Sequence, residues 1–389
     1  MMNRSIDLLE DLAGESNNIF QLNRRGYLYA TGSEQGLPAF IQQARQIFSL
    51  GAGALRVHDS HGHDYQPVHP DGYLDQPDGA DLILDPALIA EHFPYLTRQT
   101  LACLHVRRAG WMSAQQLGMY LLKQARQKGI VLETARITGI DLRGGAIKSV
   151  RLNGSETVLT DTFINAAGPF LKHVSKLANI DLPVQTEMHL KAAINDRRCI
   201  IDRDSPVLIW NDCQYLPWKE AELRFLSSGD EADWMSGLFP SGAHVRPEGG
   251  RESQVLLMLW EYNKKTIEPV LPLPGDDFYP EIVLRGLATM VPGLMDYFDH
   301  MPKPSVDGGY YTKTPENRPL IGPTPIEGFY LIGALSGFGI MAACAAGELV
   351  SLHVSGLDLP EYAHAFELRR YDDPVYIQKL TTMTDSGQL

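Results

Sequence analysis

The 389-residue sequence is poor in several features that mark common functional classes. It has four cysteines, Cys103, Cys199, Cys213 and Cys344, with no C-x-x-C pair and no framework spacing. That argues against a disulfide scaffold and fits a reducing compartment, so a cytoplasmic location is expected. Positive charge is also short: 34 Lys+Arg against 47 Asp+Glu give −13. A surface of that sign repels phosphate backbones and anionic headgroups, and nucleic acid is not an expected partner. The opening MMNRSIDLLEDLAGE carries four acids and no basic segment ahead of an apolar run, so it does not read as a signal peptide. Ile6, Leu8, Leu9 and Leu12 recur there at helical spacing, as in the middle of a domain. No internal repeat is visible. What remains, 44% hydrophobic and 21% charged, is a globular composition with room for two domains.

Along the chain, a helix precedes a turn at Asn23 to Gly26, a strand at 26–31 and a second helix from about Pro38 to Leu50. A polar stretch from His58 to Asp81 reads as a loop or irregular hairpin. Asp85-Pro86 has the form of a helix N-cap followed by proline at the first helical position. Residues 113–128 form the clearest amphipathic helix: Ser113 can cap it, Leu117, Leu121, Leu122 and Ala125 share a face, and Gly129 ends it. The period then changes, and 130–142, 145–152 and 161–168 read as strands separated by glycine turns. From Pro183 to about Met301 short Trp- and Tyr-rich strands and one helix near Tyr279 to Met290 suggest a separate, mostly β domain. A strand at 328–333 and a helix from about Phe338 to Val354 follow.

The one long uncharged run is GFYLIGALSGFGIMAACAAG, 20 residues at 328–347. Its length suits a membrane span. Gly333, Gly337 and Gly339 instead suit a strand, a tight turn and a small-residue helix, and that reading is preferred, without a transmembrane segment. Gly337-Phe-Gly339-Ile-Met-Ala342 fits G-x-G-x-x-A, but Asp358, at nearly the spacing a ribose-binding acid needs, has no strand to sit in. The turn therefore reads as a helix N-terminus aimed at something electron-rich, with close helix–strand packing as the competing reading. Ser336 is not a nucleophile elbow, because Ala334 and Phe338 stand where glycines are required. His58, His61, His63 and His69 with Asp59 and Asp64 match no standard zinc pattern and read as a solvated loop; no metal is expected. TKTPENRPLIGPTPIEG (312–328) holds Arg318 among prolines and glycines, in a loop that either positions side chains or merely connects.

Taken in order, RITGI, DTFINAAG, the β-rich region, YYTKTPENRPLIGPTP and GFYLIGALSGFGIMAACAAGELV resemble the FAD-dependent oxidoreductases of the D-amino-acid oxidase, glycine oxidase and sarcosine oxidase superfamily, over nearly the whole chain. The resemblance implies a mixed α/β fold: a discontinuous Rossmann-like FAD domain (1–182 and 302–389, with small inserted β segments near 20–110) and a mostly antiparallel β substrate domain at 183–301. It implies FAD as cofactor. It implies that Arg136 and Ile137 meet the adenine end, that Ala166, Ala167 and Gly168 lie beside the dinucleotide, and that Arg318 lies near the flavin. Gly337, Phe338, Gly339, Ile340 and Met341 would face the pyrimidine edge of the ring, where a helix N-terminus stabilises the negative charge of the reduced form. Tyr311, Arg318, Lys191 and His189 are the implied catalytic residues, with Tyr310 and Trp260 as further lining.

The implied activity is oxidation of the C–N bond of a small-molecule amine or amino acid by hydride transfer to flavin. The family pattern opens with a strand, G-x-G-x-x-G, a helix and an acid-bearing strand, whereas the first match here is SIDLLEDLAGE. Roughly 60 to 80 residues of that pattern, the size of a βαβ unit and its loop, are therefore expected to lie outside this sequence. A late start codon, a split gene whose partner chain supplies the unit, or a degenerate chain without FAD would each account for it, and the first two are favoured. The competing function is a non-catalytic subunit.

Overall fold

The computed structural model describes residues 1–49, 51, 53–59, 65–69, 72–226, 233–250 and 252–380. Its largest element is a nine-stranded sheet, in the order Ser305–Lys313, Gln185–Asn195, Val255–Leu259, His244–Pro247, Val207–Trp210, Tyr27–Thr31, Ala102–Val106, Ala80–Ile83, Leu55–His58. Tyr27–Thr31 with Val207–Trp210 and Leu55–His58 with Ala80–Ile83 pair in parallel, and the other pairs are antiparallel. The sheet runs across the boundaries expected at 183 and 301: four of its strands precede residue 110 and one follows residue 301. A two-domain division there stays a proposal.

Alternation sorts the residues of this sheet onto two faces. Leu28, Ala30, Ala192, Ile194, Leu208, Leu256, Met258 and Trp260 face a core capped by the helix Tyr279–Met290. That helix has Pro280 in its first turn and is buried nearly all round, as its apolar sequence IVLRGLATM requires. Gly286 is obligatory at its contact with the sheet, since a Cβ there would sit 2.2 Å from Cζ3 of Trp260. Trp260 is consequently 2% exposed and belongs to this core rather than to a substrate cavity. Arg285 is buried with its guanidinium over Trp218 (3.9 Å) and Phe298 (4.6 Å) and is paired with Glu222 and Glu281 at 2.8 and 2.9 Å. At the far end of the sheet, helix Leu37–Ser49 covers Ala80, Leu82, Ala102 and Leu104 on the other face.

Two smaller sheets complete the fold. Leu320–Pro323 pairs antiparallel with Phe329–Gly333, which pairs in parallel with Phe163–Asn165. Ile137–Arg143, Ala146–Leu152 and Glu156–Leu159 form an antiparallel meander. The helix signals act as expected: Asp85 caps Pro86–His92 by accepting from the Ala87 N–H at 2.8 Å, and Ser113 caps Ala114–Gln127 through the Gln116 N–H. Helix Gly339–Ser355 packs on helix Met2–Glu15, with the Ala345 N–H donating to Ser5 Oγ at 3.2 Å, and buries Ala346, Leu349 and Val350 against Ile321 and Ala363. The span Ser336–Ser355 is long and apolar enough to cross a membrane, but the uncharged run 328–347 that it overlaps divides into strand, turn and helix. The expected strand 130–142 begins only at Ile137: Ile130, Val131 and Leu132 are 59, 74 and 59% exposed, the Ile130 N–H donates back to the Ala125 carbonyl at 3.2 Å, and among the described residues no strand pairs with this segment. The His58–Asp81 stretch yields two strand ends, with His58 Nε2 2.7 Å from the buried Asp81 carboxylate. His61, His63 and Asp64 lie outside the described residues.

Candidate active site

Two turns meet at the carboxyl ends of adjacent parallel strands, the place where open α/β sheets bind ligands. The first follows Phe163–Asn165. Asn165 is buried, donates from Nδ2 to the Leu171 carbonyl and the Ser175 hydroxyl at 2.9 Å each, and accepts from the Ala167 N–H at 3.2 Å. These bonds fix Ala166, Ala167 and Gly168, the last in the left-handed region at φ 54° with open space where a Cβ would stand. The second follows Phe329–Gly333, whose Leu331 is in register with Asn165. Ala334 and Ser336 both adopt φ near 50°, a conformation unfavourable for side-chain-bearing residues and concentrated at functional turns. Ser336 is 9% exposed with its hydroxyl unpartnered, and the 17-residue helix Gly339–Ser355 starts with no side-chain cap. Gly337, Ile340 and Met341 stand at the surface of this turn, with Phe338 and Gly339 half-buried between them.

An orphaned hydroxyl beside free helix N–H groups fits an electron-rich ring edge such as that of a flavin. Arg136 and Ile137 are placed elsewhere, at the start of the meander, where the exposed Arg136 donates its N–H to Asn153 Oδ1 at 3.0 Å. Neither turn includes them.

The loop carrying Arg318 is anchored from both sides. Thr314 Oγ1 accepts the Arg318 N–H at 2.8 Å and donates to the Arg318 carbonyl at 2.7 Å. Arg370 donates to the carbonyls of Arg318 and Pro319 at 3.0 Å each and pairs with Glu316 at 2.7 Å, with 4% and 2% of those two side chains exposed. Tyr371 and Tyr376 also donate to Glu316. Burial alone would raise the Glu316 carboxyl, but the Arg370 hydrogen bond and charge outweigh it and hold the group below the usual range. The sequence motif therefore encodes a fixed loop.

Strand Ser305–Lys313 lies against both turns and carries a polar face of the large sheet past them. Opposite residues share a face in an antiparallel pair, and the register Tyr311↔Glu187 and Gly309↔His189 puts Glu187, His189, Tyr311 and Lys313 together. The rings of His189 and Tyr311 stack at 3.7 Å and 16°. Lys313 Nζ is 2.7 Å from Glu187 Oε2, which is 3.4 Å from His189 Nε2, and His189 Nδ1 is 2.7 Å from Glu261 Oε1. Burial opposes ionisation of Glu187, but the Lys313 hydrogen bond and charge hold its pKa down. The Tyr311 phenol is pushed up to about 12, first by burial and then by the Glu261 charge. Burial lowers the pKa of His244, on the next strand over.

Of the residues expected from sequence, His189 and Tyr311 meet here. Lys191 shares their face two residues on but is 42% exposed and paired with Asp307 at 3.2 Å. Tyr310 points to the opposite face, and its hydroxyl and the backbone of Val270 exchange hydrogen bonds. Glu187, Lys313 and Glu261 were not foreseen. The alternation Gln185, Glu187, His189, Lys191 is a legible signal for the first of them; Glu261 depends on cross-strand register, which no local pattern reports.

The chain matches the family profile DAO, described as FAD dependent oxidoreductase, over residues 1–351. Among solved structures, L-proline dehydrogenase from P. horikoshii superposes with TM-score 0.69 at 18% identity, covering 95% of this chain and 82% of that one. Glycine oxidase from Geobacillus kaustophilus gives 0.69 at 14%, covering 94% and 81%. Iminodiacetate oxidase from Chelativorans sp. BNC1 gives 0.65 at 15%, covering 93% and 80%. A search of curated protein sequences gave no match.

Proposed function

Because the chain belongs to the DAO family of FAD-dependent oxidoreductases, we propose that it oxidises the C–N bond of a small amine or amino acid, giving an imine that water hydrolyses. Bound FAD would supply the redox chemistry by accepting the hydride. The chain's own part is to hold and orient. Ala166–Gly168 and Gly337–Met341 would bracket the cofactor at the two strand ends, with the uncapped helix N-terminus and the Ser336 hydroxyl toward the ring. The anchored Arg318 loop and the wall formed by Tyr311 and His189 would set the substrate beside it and restrict water. The observation that carries this reading is the meeting of the two turns against the strand that bears Tyr311.

Relatives named for proline, glycine and iminodiacetate support small amino acids as the substrate class. Four unpaired cysteines support a cytoplasmic location. The test is anaerobic addition of glycine, sarcosine, D-alanine, L-proline and simple amines to the FAD-loaded protein. Bleaching of the flavin band by at least one is expected; dithionite bleaching without bleaching by any amine refutes the reading.

A second reading has its own observation. Among the described residues Phe163–Asn165 is paired on one side only, with Ile164 40% exposed, and the extended segment at Ile130–Leu132 has no strand partner. A parallel edge is ordinarily covered. A partner chain adding strands there would make this chain one subunit of a flavoprotein. A flavin spectrum from the 389-residue chain purified alone would rule that out.

A further inference from the structure

We propose that Glu261 and His189 form the amine-binding, proton-accepting end of the substrate site; this rests on the amine-oxidising reading above. Cationic groups near this face are already matched: Lys313 with Glu187 at 2.7 Å and Arg246 with Glu248 at 2.5 Å. Glu261 is matched by half. Its Oε1 lies 2.7 Å from His189 Nδ1 as a charge contact outside hydrogen-bond geometry, whereas Oε2, like both ring nitrogens of His189, is shielded from solvent with no hydrogen-bond partner. A buried carboxylate oxygen without a donor is strongly unfavourable and is satisfied when a ligand brings one. The missing donor is an N–H, and beside a carboxylate an ammonium or secondary ammonium fits better than a neutral group.

His189 is the group that can take the proton onward. Its side chain is 9% exposed, its ring is fixed by the stack on Tyr311, and it stands between Glu261 and Glu187. The groups around the pair are Lys313, Tyr311 and Gly309 from the edge strand, Glu187 and Lys191 from the strand beside it, His244 and Arg246 from the strand beyond Val255–Leu259, Tyr27, and Tyr279 from the capping helix. In the step assigned here one N–H bond of the bound ammonium breaks and its electron pair stays on nitrogen. The proton passes to the Glu261–His189 pair, and no electron is transferred. The neutral amine then has the lone pair that loss of hydride from the adjacent carbon requires.

The test uses pyrrolidine, an amine without a carboxylate, and propionate, a carboxylate without an amine, with the FAD-loaded full chain. Pyrrolidine should shift the His189 ring signals in ¹⁵N NMR saturably, and E261Q should weaken that binding at least 10-fold while leaving propionate unaffected. For any amine that bleaches the wild-type flavin, E261Q should lower kcat/KM about 100-fold, within the range for general acid–base groups, and move the acid limb of its pH profile. E261D keeps the charge with a shorter reach and should lie between; it also serves if E261Q does not fold. Equal pyrrolidine affinity in wild type and E261Q, or an unmoved acid limb, overturns this assignment while leaving the amine-oxidising reading intact. A wild-type flavin that no amine bleaches removes that reading itself.

Discussion

The two ends of this molecule are finished to different degrees. In the nine-stranded sheet one face is closed by a helix buried nearly all round, and even its arginine, Arg285, is enclosed by Trp218, Phe298 and two carboxylates. The three-stranded sheet ends instead at Phe163–Asn165, an edge among the described residues with Ile164 40% exposed, and elsewhere Ile130, Val131, Leu132, Met119 and Leu121 are exposed. The first region is closed over its core; the second, among the described residues, leaves apolar side chains and a strand edge uncovered. The candidate site lies on the seam, where strand Ser305–Lys313 of the closed region touches the turns of the open one.

Substitutions can break this contrast. The largest effect is expected at the seam: Arg370→Ala leaves the buried Glu316 carboxylate with the Tyr371 and Tyr376 hydroxyls but no counter-charge, removes one of the two anchors of the Arg318 loop, and should cost about 3–5 kcal/mol of stability in denaturant unfolding. In the closed region Leu287, 0% exposed under the sheet, is expected to cost about 2–5 kcal/mol as Leu287→Ala by the same measurement.

An acid titration comes next. His105 lies fully buried in the sheet, and burial, with the Arg107 charge adding, pushes it down to about 3. Its folded pKa is below the unfolded value of about 6.5, so its contribution is complete above that pH and is lost as pH falls toward 3, amounting to about 2 kcal/mol by pH 5. Stability should therefore fall between pH 7 and 5 in the wild type and fall less in His105→Gln. Asp81 enters only at lower pH: burial would raise it, but hydrogen bonds from Arg56 and His58 and the Arg107 charge hold it below the usual carboxylate range. The smallest effect belongs to the open region, where Val131→Ser should change stability by no more than about 0.5 kcal/mol. A loss like that of Leu287→Ala there would show that the edge is closed and remove the contrast.

Much of the fold was legible because its signals are local. Asp85-Pro86 and Ser113 announce helices by capping chemistry, and the glycines after 328–333 announce a turn that any strand-to-helix reversal of that kind needs. The errors arose where the answer lies in a neighbour. Residues 130–136 have a strand's composition but no strand pairs with them among the described residues, so only the part from Ile137 pairs. Trp260 reads as a lining aromatic, yet alternation turns it under Gly286 and turns Glu261 outward instead. His189 and Tyr311, 122 positions apart, are expected at the site only from their placement within the resemblance; their stacking follows from a register that emerges only when two distant strands pair.

The central claim is that FAD binds at the seam with its ring against the start of helix Gly339–Ser355. Gly339→Asp tests it directly, because an acid in the first helical turn favours the helix while its carboxylate opposes an electron-rich ligand there. A Cβ at 339 meets only Leu335, at an ordinary 3.6 Å, so the side chain has room. FAD affinity should be measured by fluorescence titration of both proteins with any co-purifying partner retained. The account predicts an unchanged or raised unfolding temperature together with about a 10-fold loss of FAD affinity, about 1.4 kcal/mol, close to the solvated limit for one unfavourable charge contact near 4 Å. Equal FAD affinity in the two proteins would contradict it.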